Sequence, residues 1–283
     1  MAELLIEGGR RLEGRIAVEG NKNAALPLLA ACLLTTETCE LHNVPAIRDV
    51  AVMLDLLRSL GADVERIGSS TVRVTCRDIR GSEPDPALVG RLRGSVLLLG
   101  ALLGRTGRAV IARPGGDFPT RRSITTHLRA LQALGGQLVE VASGHEIVAP
   151  DGLTGTSTYL LEASVTGTET ALLAAAQARG TTEIRHAACE PHVAELAEFL
   201  AKMGVGVECI GMSTIRITPP ERLRGATHTL RGDYIEAASW AVVGAITGGA
   251  VEVTGVHAVD LEPIAAVLAE MRLDFTLEDM RFA

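Results

Sequence analysis

Leu12-Glu13-Gly14-Arg15-Ile16-Ala17-Val18-Glu19 opens a unit that the chain repeats. The same apolar-x-Gly signature returns at Ile79-Arg80-Gly81, Leu153-Thr154-Gly155 and Leu223-Arg224-Gly225, at a period of about 70 residues. A second marker, the end of a helical pattern, falls at Leu60-Gly61, Leu134-Gly135, Met203-Gly204 and Met271-Arg272 with the same period. Two independent markers with one period make the chain four copies of one unit.

Each copy reads alike. After the glycine comes a short strand, clearest at Arg15 to Glu19. An Ala- and Leu-rich helix follows: Asn23 to Leu34, Leu92 to Leu103, Thr168 to Ala178 and Ile235 to Ile246. These helices are apolar nearly all round, so burial is expected. Next come a strand, such as Thr182 to His186, and an amphipathic helix. Val50, Met53, Leu54, Leu57 and Leu60 mark its apolar face in the first copy, at i, i+3, i+4, i+7 spacing. Glycine ends this helix in three copies, as a left-handed cap would. Arg272 stands there in the fourth, so a different cap is expected. Hairpins close the first three copies, pairing Asp63–Arg66 with Thr71–Thr75, Gln137–Val141 with His145–Ala149, and Val207–Ile210 with Thr214–Thr218. A strand–helix–strand–helix–hairpin unit cannot bury its helices alone. Several must assemble around a common helical core with sheets outside.

The 283 residues suffice for one or two domains. The chain is 47% hydrophobic but 2% aromatic, so its core must be built from Ala, Val, Leu and Ile in closely packed layers. A net charge of −7 gives no general attraction for nucleic acid; an anion site must be a local arginine cluster. The five cysteines are scattered without C-x-x-C spacing, and the seven histidines lack H-E-x-x-H spacing. This argues against disulfides and metal sites and for a reducing, cytoplasmic compartment. No apolar run reaches membrane-spanning length, and Met1 to Arg10 lacks a signal-peptide core.

Chemistry concentrates in Arg113-Pro114-Gly115-Gly116-Asp117-Phe118-Pro119-Thr120-Arg121-Arg122. Two glycines and two prolines make it a loop, and it puts one carboxylate among three arginines.

This loop, the opening Gly20-Asn21-Lys22-Asn23-Ala24-Ala25-Leu26-Pro27 and the repeats together resemble one family along the whole chain. It is UDP-N-acetylglucosamine 1-carboxyvinyltransferase, an enolpyruvyl transferase. The Lys-Ser and Asn-Ala-Gly-Thr segments of the sister family that makes enolpyruvylshikimate phosphate are lacking. The resemblance implies an α/β fold, the inside-out α/β prism: two lobes of three units each, with the active site in the cleft. It implies transfer of enolpyruvyl from phosphoenolpyruvate to the 3-hydroxyl of UDP-N-acetylglucosamine, with release of phosphate. Neither metal nor organic cofactor is implied, and neither nucleic acid nor membrane is expected as a partner.

It also implies roles for residues. Lys22 matches a lysine that pairs with the phosphate or carboxylate of phosphoenolpyruvate. Asn23 matches a hydrogen-bonding partner of the sugar or the tetrahedral intermediate. Arg93 matches an arginine near the substrate. Arg122 matches the loop arginine that clamps phosphate, with Arg121 as its rival. Arg122, Ser123, Ile124, Thr125 and Thr126 match the stretch lining the uridine pocket, where relatives often read Arg-Pro-Val-Asp. Ser164, Val165 and Thr166 match a helix start that holds the diphosphate by backbone N–H groups. Glu190 matches an acidic residue near the cleft. Asp117 stands where most relatives have cysteine. It would serve as general acid, and as a carboxylate it would resist the epoxide fosfomycin.

The resemblance calls for six units, and the chain has four. Residues 22–230 would form one complete lobe. Residues 1–21 with 231–283 would form one unit of the other lobe's three. The remainder would have to come from a further segment or from self-association; otherwise the chain is a catalytically incomplete homologue that binds a UDP-sugar or serves as an assembly partner.

Overall fold

A computed structural model describes Glu3, Leu5, residues 7–115 and residues 123–283. Gly116 to Arg122, and with them Asp117, Arg121 and Arg122, lie outside the described residues. The first copy of the unit is β1 (Glu13–Ala17), α1 (Lys22–Ala31), β2 (Cys39–His42), α2 (Arg48–Ser59), β3 (Asp63–Ile67) and β4 (Thr71–Thr75). The second is a short α3 (Pro86–Val89), a 3-10 turn at Arg93–Leu97 that runs into α4 (Leu98–Thr106), β5 (Arg108–Ile111), α5 (Thr125–Ala133), β6 (Gln137–Val139) and β7 (His145–Val148). The third is β8 (Ser157–Tyr159), α6 (Val165–Ala175), β9 (Thr182–Arg185), α7 (Pro191–Lys202), β10 (Gly206–Glu208) and β11 (Thr214–Thr218). The fourth is β12 (Thr227–Thr229), α8 (Tyr234–Ile246), β13 (Ala250–Thr254), α9 (Ala258–Glu270), β14 (Leu277–Glu278) and β15 (Arg281–Phe282). No helix among the described residues is long and apolar enough to cross a membrane.

The chain divides into two compact units, Lys22–Leu230 and Met1–Asn21 with Arg231–Ala283. Strand pairing explains the division. In the third copy, β8 lies parallel beside β9 of its own repeat. In the second, the Val110 N–H donates to the Ser82 carbonyl, so the segment before α3 takes the same place. The first and fourth copies instead exchange their leading strands: β1 pairs with β13, and β12 pairs with β2, both parallel.

The larger unit has three sheets, ordered β12-β2-β4-β3, β5-β7-β6 and β10-β11-β9-β8. Inside them lie α1, α4 and α6. Eight residues of α1 and nine of α6 are buried, because these helices lack a polar face. Small residues let the helices touch. A Cβ at Gly94 would fall on the Leu26 side chain, one at Gly100 on the Thr170 carbonyl, and one at Gly104 on Gln177. The contacts 100 to 170 and 104 to 177 advance together along both chains, so α4 and α6 run parallel. Contacts of α1 with the 3-10 turn, and of residues Cys32–Leu34 with α4, set α1 parallel to them. All three helices therefore begin at one end of this unit.

A polar relay, buried at His228 and Glu195, fastens β12, which otherwise pairs with β2 alone in its sheet. Lys202 Nζ donates to His228 Nδ1 at 2.9 Å, and His228 Nε2 donates to Glu195 Oε1 at 2.9 Å. The smaller unit has one sheet, β1-β13-β15-β14, over α8 and α9, and its core holds seven buried residues, including Val253, Leu261 and Phe282. Its α8 is apolar like α1 and α6, yet Ile235, Val242 and Ile246 are exposed, Ile246 to 76%. A cleft of about 560 Å³ runs beside α8, lined by Ala241, Gly244, Leu268 and Phe275.

The end of the fourth amphipathic helix corrects the expectation of a different cap. Gly61, Gly135 and Gly204 have φ of 97°, 103° and 102°, and Arg272 has φ of 61°. In all four copies the N–H of this residue returns to the carbonyl three before it. The next N–H returns to the carbonyl five before, from Ala62, Gly136, Val205 and Leu273. Arg272 thus enters the left-handed region to make the same cap, because the carbonyls of the last turn need partners whatever the side chain.

Candidate functional site

Lys22 is the first residue of α1, Arg93 the first of the 3-10 turn that becomes α4, and Val165 the first of α6. Helix starts leave backbone N–H groups unpaired and carry partial positive charge. The first turns of all three lack acidic residues, so nothing on those turns neutralises that charge. Lys22 and Arg93 add full charges at the same end. The arrangement suits an anion, and phosphate above all.

The α5 start joins this end. The Arg93 Nη2 donates to the Ser123 carbonyl at 3.3 Å. Ser123 Oγ accepts from the Thr125 N–H at 3.0 Å and meets Thr125 Oγ1 at 2.6 Å, which shapes the entry to α5. Ile124 is buried beneath that turn. Thr126 Oγ1 donates to Glu162 Oε1 at 3.2 Å. A Cβ at Gly167 would crowd the Thr126 methyl, so the first turns of α5 and α6 are in direct contact. His127 Nε2 and Thr166 Oγ1 hydrogen-bond at 2.8 Å across the same junction. Burial, and then the Arg93 charge, lower the His127 pKa to about 4, so this imidazole is neutral at pH 7.

Ser164 caps α6, its Oγ accepting from the Gly167 N–H at 3.2 Å. That bond satisfies one N–H and leaves earlier ones of the turn for a ligand. Asn23 follows Lys22 into α1 and is half-buried. Lys22 Nζ lies 3.5 Å from Asp49 in the first turn of α2; with both side chains about 40% exposed, the pair is a weak tether for Lys22. Glu190 is the N-cap residue of α7. Arg113 to Gly115 run up to the loop, and Gly115 sits so tightly on the Gly90 carbonyl that a Cβ would overlap it; its N–H donates to the Val89 carbonyl at 3.0 Å.

Hydrogen bonds and contacts thus gather Arg93, Ser123, Ile124, Thr125, Thr126, Ser164, Val165 and Thr166, with Lys22 and Asn23 at the same end of the parallel helices. Asp117 and Arg122 belong to the loop outside the described residues. The sequence reading missed His127, Glu162 and Asp49. It also missed Glu169, an acid inside a helix read correctly as buried. A carboxylate in an otherwise apolar helix was the available signal.

A family model described as EPSP synthase (3-phosphoshikimate 1-carboxyvinyltransferase) matches residues 6–282. A UDP-N-acetylglucosamine 1-carboxyvinyltransferase of Symbiobacterium thermophilum is 43% identical over 271 residues, 94% of this chain and 62% of the relative. Another, of Treponema denticola, is 39% identical over 278 residues, 98% of this chain and 65% of the relative. The chain therefore spans under two thirds of the length of these curated relatives. Among solved structures, the enolpyruvyl transferase NikO from Streptomyces tendae aligns with a TM-score of 0.82 at 24% identity, over 98% of this chain and 66% of that one. An EPSP synthase from Acinetobacter baumannii aligns with a TM-score of 0.73 at 21% identity, over 96% of this chain and 62% of that one. These two likenesses establish the fold.

Proposed function

The chain belongs to the EPSP synthase family, and from that membership we propose that it transfers enolpyruvyl from phosphoenolpyruvate to the 3-hydroxyl of UDP-N-acetylglucosamine. The observation that carries the reading is the convergence of the α1, Arg93-turn, α5 and α6 starts, with Lys22 and Arg93 among them. The named relatives supply the choice of sugar nucleotide over shikimate phosphate.

In this reading the α6 start, with Ser164, Val165 and Thr166, holds the diphosphate by its N–H groups. Residues Ser123 to Thr126 line the uridine side. Lys22 and Arg122 hold phosphoenolpyruvate, Asn23 bonds the sugar or the tetrahedral intermediate, and Glu190 faces the reacting end. Asp117 gives a proton to the methylene carbon of phosphoenolpyruvate as the 3-hydroxyl loses its own proton to a base and its oxygen bonds to C2. Phosphate then leaves C2 and the new C3 methyl group gives up one proton, restoring the enol ether. With aspartate in this place the enzyme resists fosfomycin, and its product feeds peptidoglycan synthesis in the cytoplasm.

Residues 22–230 form one lobe and the smaller unit is one third of a second. The exposed α8 supports this, since its counterparts α1, α4 and α6 are covered by neighbouring repeats. Two further units, from another segment or from further copies of the chain, cover α8 in the active form.

Calorimetric titration of UDP-N-acetylglucosamine into the chain tests the site. One site per chain, weakened at least about tenfold by Arg93→Ala, is expected, since losing a charge-assisted contact costs about 1.5–3 kcal/mol. Binding that ignores this substitution would remove Arg93 from the site.

A further inference from the structure

Glu162 stands where two walls of the candidate site meet. It precedes Ser164, the N-cap of α6, and the Ser164 N–H donates to its carbonyl at 2.7 Å. Its side chain crosses to α5, where Oε1 accepts from Thr126 Oγ1 at 3.2 Å. Thr126 lies in the first turn of α5 and is 4% exposed, with its methyl against Gly167 of α6. A buried residue thus holds one oxygen of an exposed carboxylate. The other oxygen, Oε2, makes no hydrogen bond among the described residues.

This placement serves neither the helix nor an anion. At the α6 start it is Ser164 Oγ, and not the Glu162 side chain, that takes the Gly167 N–H. A carboxylate repels phosphate and only accepts hydrogen bonds. A hydroxyl of the ligand is the partner that suits it, and carboxylates hold ribose hydroxyls in this way at nucleotide sites of another fold.

The order of groups in the site matches their order in the ligand. Under the proposed function, Ser123 to Thr126 line the uridine side and the α6 start holds the diphosphate. Glu162 is tied to both, to Thr126 by its side chain and to Ser164 by its backbone. In a uridine diphosphate the group between base and diphosphate is the ribose, with hydroxyls on C2′ and C3′.

We propose that Glu162 is a specificity-determining residue whose carboxylate accepts hydrogen bonds from the ribose hydroxyls of the sugar nucleotide. The proposal rests on the functional reading, which puts the base beside α5 and the diphosphate on α6. Thr126 is the anchor that holds the carboxylate at the junction.

Calorimetric titration of the full chain with UDP and with 2′-deoxy-UDP, which differ by one hydroxyl, tests it. Wild type should bind UDP about tenfold more tightly, as expected for a hydrogen bond to a charged group. Glu162→Ala should bind the two alike, with UDP weakened at least about tenfold. A substitution that merely disturbs the junction would weaken both nucleotides and keep their ratio, and that result would overturn the proposal. So would a wild-type chain that binds both alike. A Glu162→Ala chain that binds both more tightly would also overturn it, since the carboxylate would then only repel the diphosphate. A wild-type chain that binds neither UDP nor UDP-N-acetylglucosamine would sink the functional reading itself, and the ribose assignment with it.

Discussion

His127 Nε2 and the Thr166 hydroxyl meet at 2.8 Å and bind the first turn of α5 to the first turn of α6. This bond joins two stretches about 40 residues apart, in separate repeats, into one wall of the candidate site. Its setting is dry and lies near Arg93, which holds the imidazole neutral.

That state makes stability depend on pH. The folded His127 titrates at about 4 and the unfolded one at the ordinary 6.5, so between these values the unfolded chain binds more protons. Stability from this group is full above pH 6.5 and falls as pH drops towards 4, by about 3 kcal/mol at most. Chemical denaturation at several pH values should show the slope, and His127→Asn should flatten it. An equal slope in the variant would exclude His127 as its source.

Gly100 sets the separation of α4 and α6. Gly100→Ala should lower stability by about 1–3 kcal/mol, although alanine favours helix, because the new methyl meets backbone. A gain in stability would show that the two helices move apart freely.

His228 links Lys202 to Glu195 beneath β12. His228→Ala leaves the Glu195 carboxylate buried without this partner and opens space beside Phe199, which the ring meets edge-on at 5.8 Å. A loss of about 3 kcal/mol is expected in urea unfolding, and hydrogen exchange should rise in β12. A loss below about 1 kcal/mol would mean that the relay does not hold the strand.

Arg272 makes a cap that glycine makes in the three other copies. Arg272→Gly should raise stability by about 1 kcal/mol, since a left-handed residue with a Cβ is strained by about that much. A loss on substitution would show that the arginine side chain contributes more than its backbone strain costs.

The repeat was legible because each copy obeys the same rule: a glycine, a helix apolar nearly all round, and a helix with one apolar face ending in a left-handed residue. The cap at Arg272 was not, since sequence shows which residue prefers a geometry and the hydrogen-bond need of the last turn decided it. Lys22, Arg93 and Ser164 were legible as helix starts with motif neighbours. His127 and Glu169 were not. Their chemistry comes from burial and, for His127, from a partner in another repeat, and neither is written in the local sequence. The exchange of β1 and β12 was also hidden, because it is a matter of pairing between strands far apart in the chain.

Phosphate release from phosphoenolpyruvate, measured with and without UDP-N-acetylglucosamine across a range of chain concentrations, tests enolpyruvyl transfer most directly. Release that requires the sugar nucleotide and is lost in Lys22→Ala is the predicted result. A chain that binds UDP-N-acetylglucosamine yet releases no phosphate at any concentration would show that the two further units come from another segment; release that does not need the sugar nucleotide, or that Lys22→Ala leaves unchanged, would contradict the assignment.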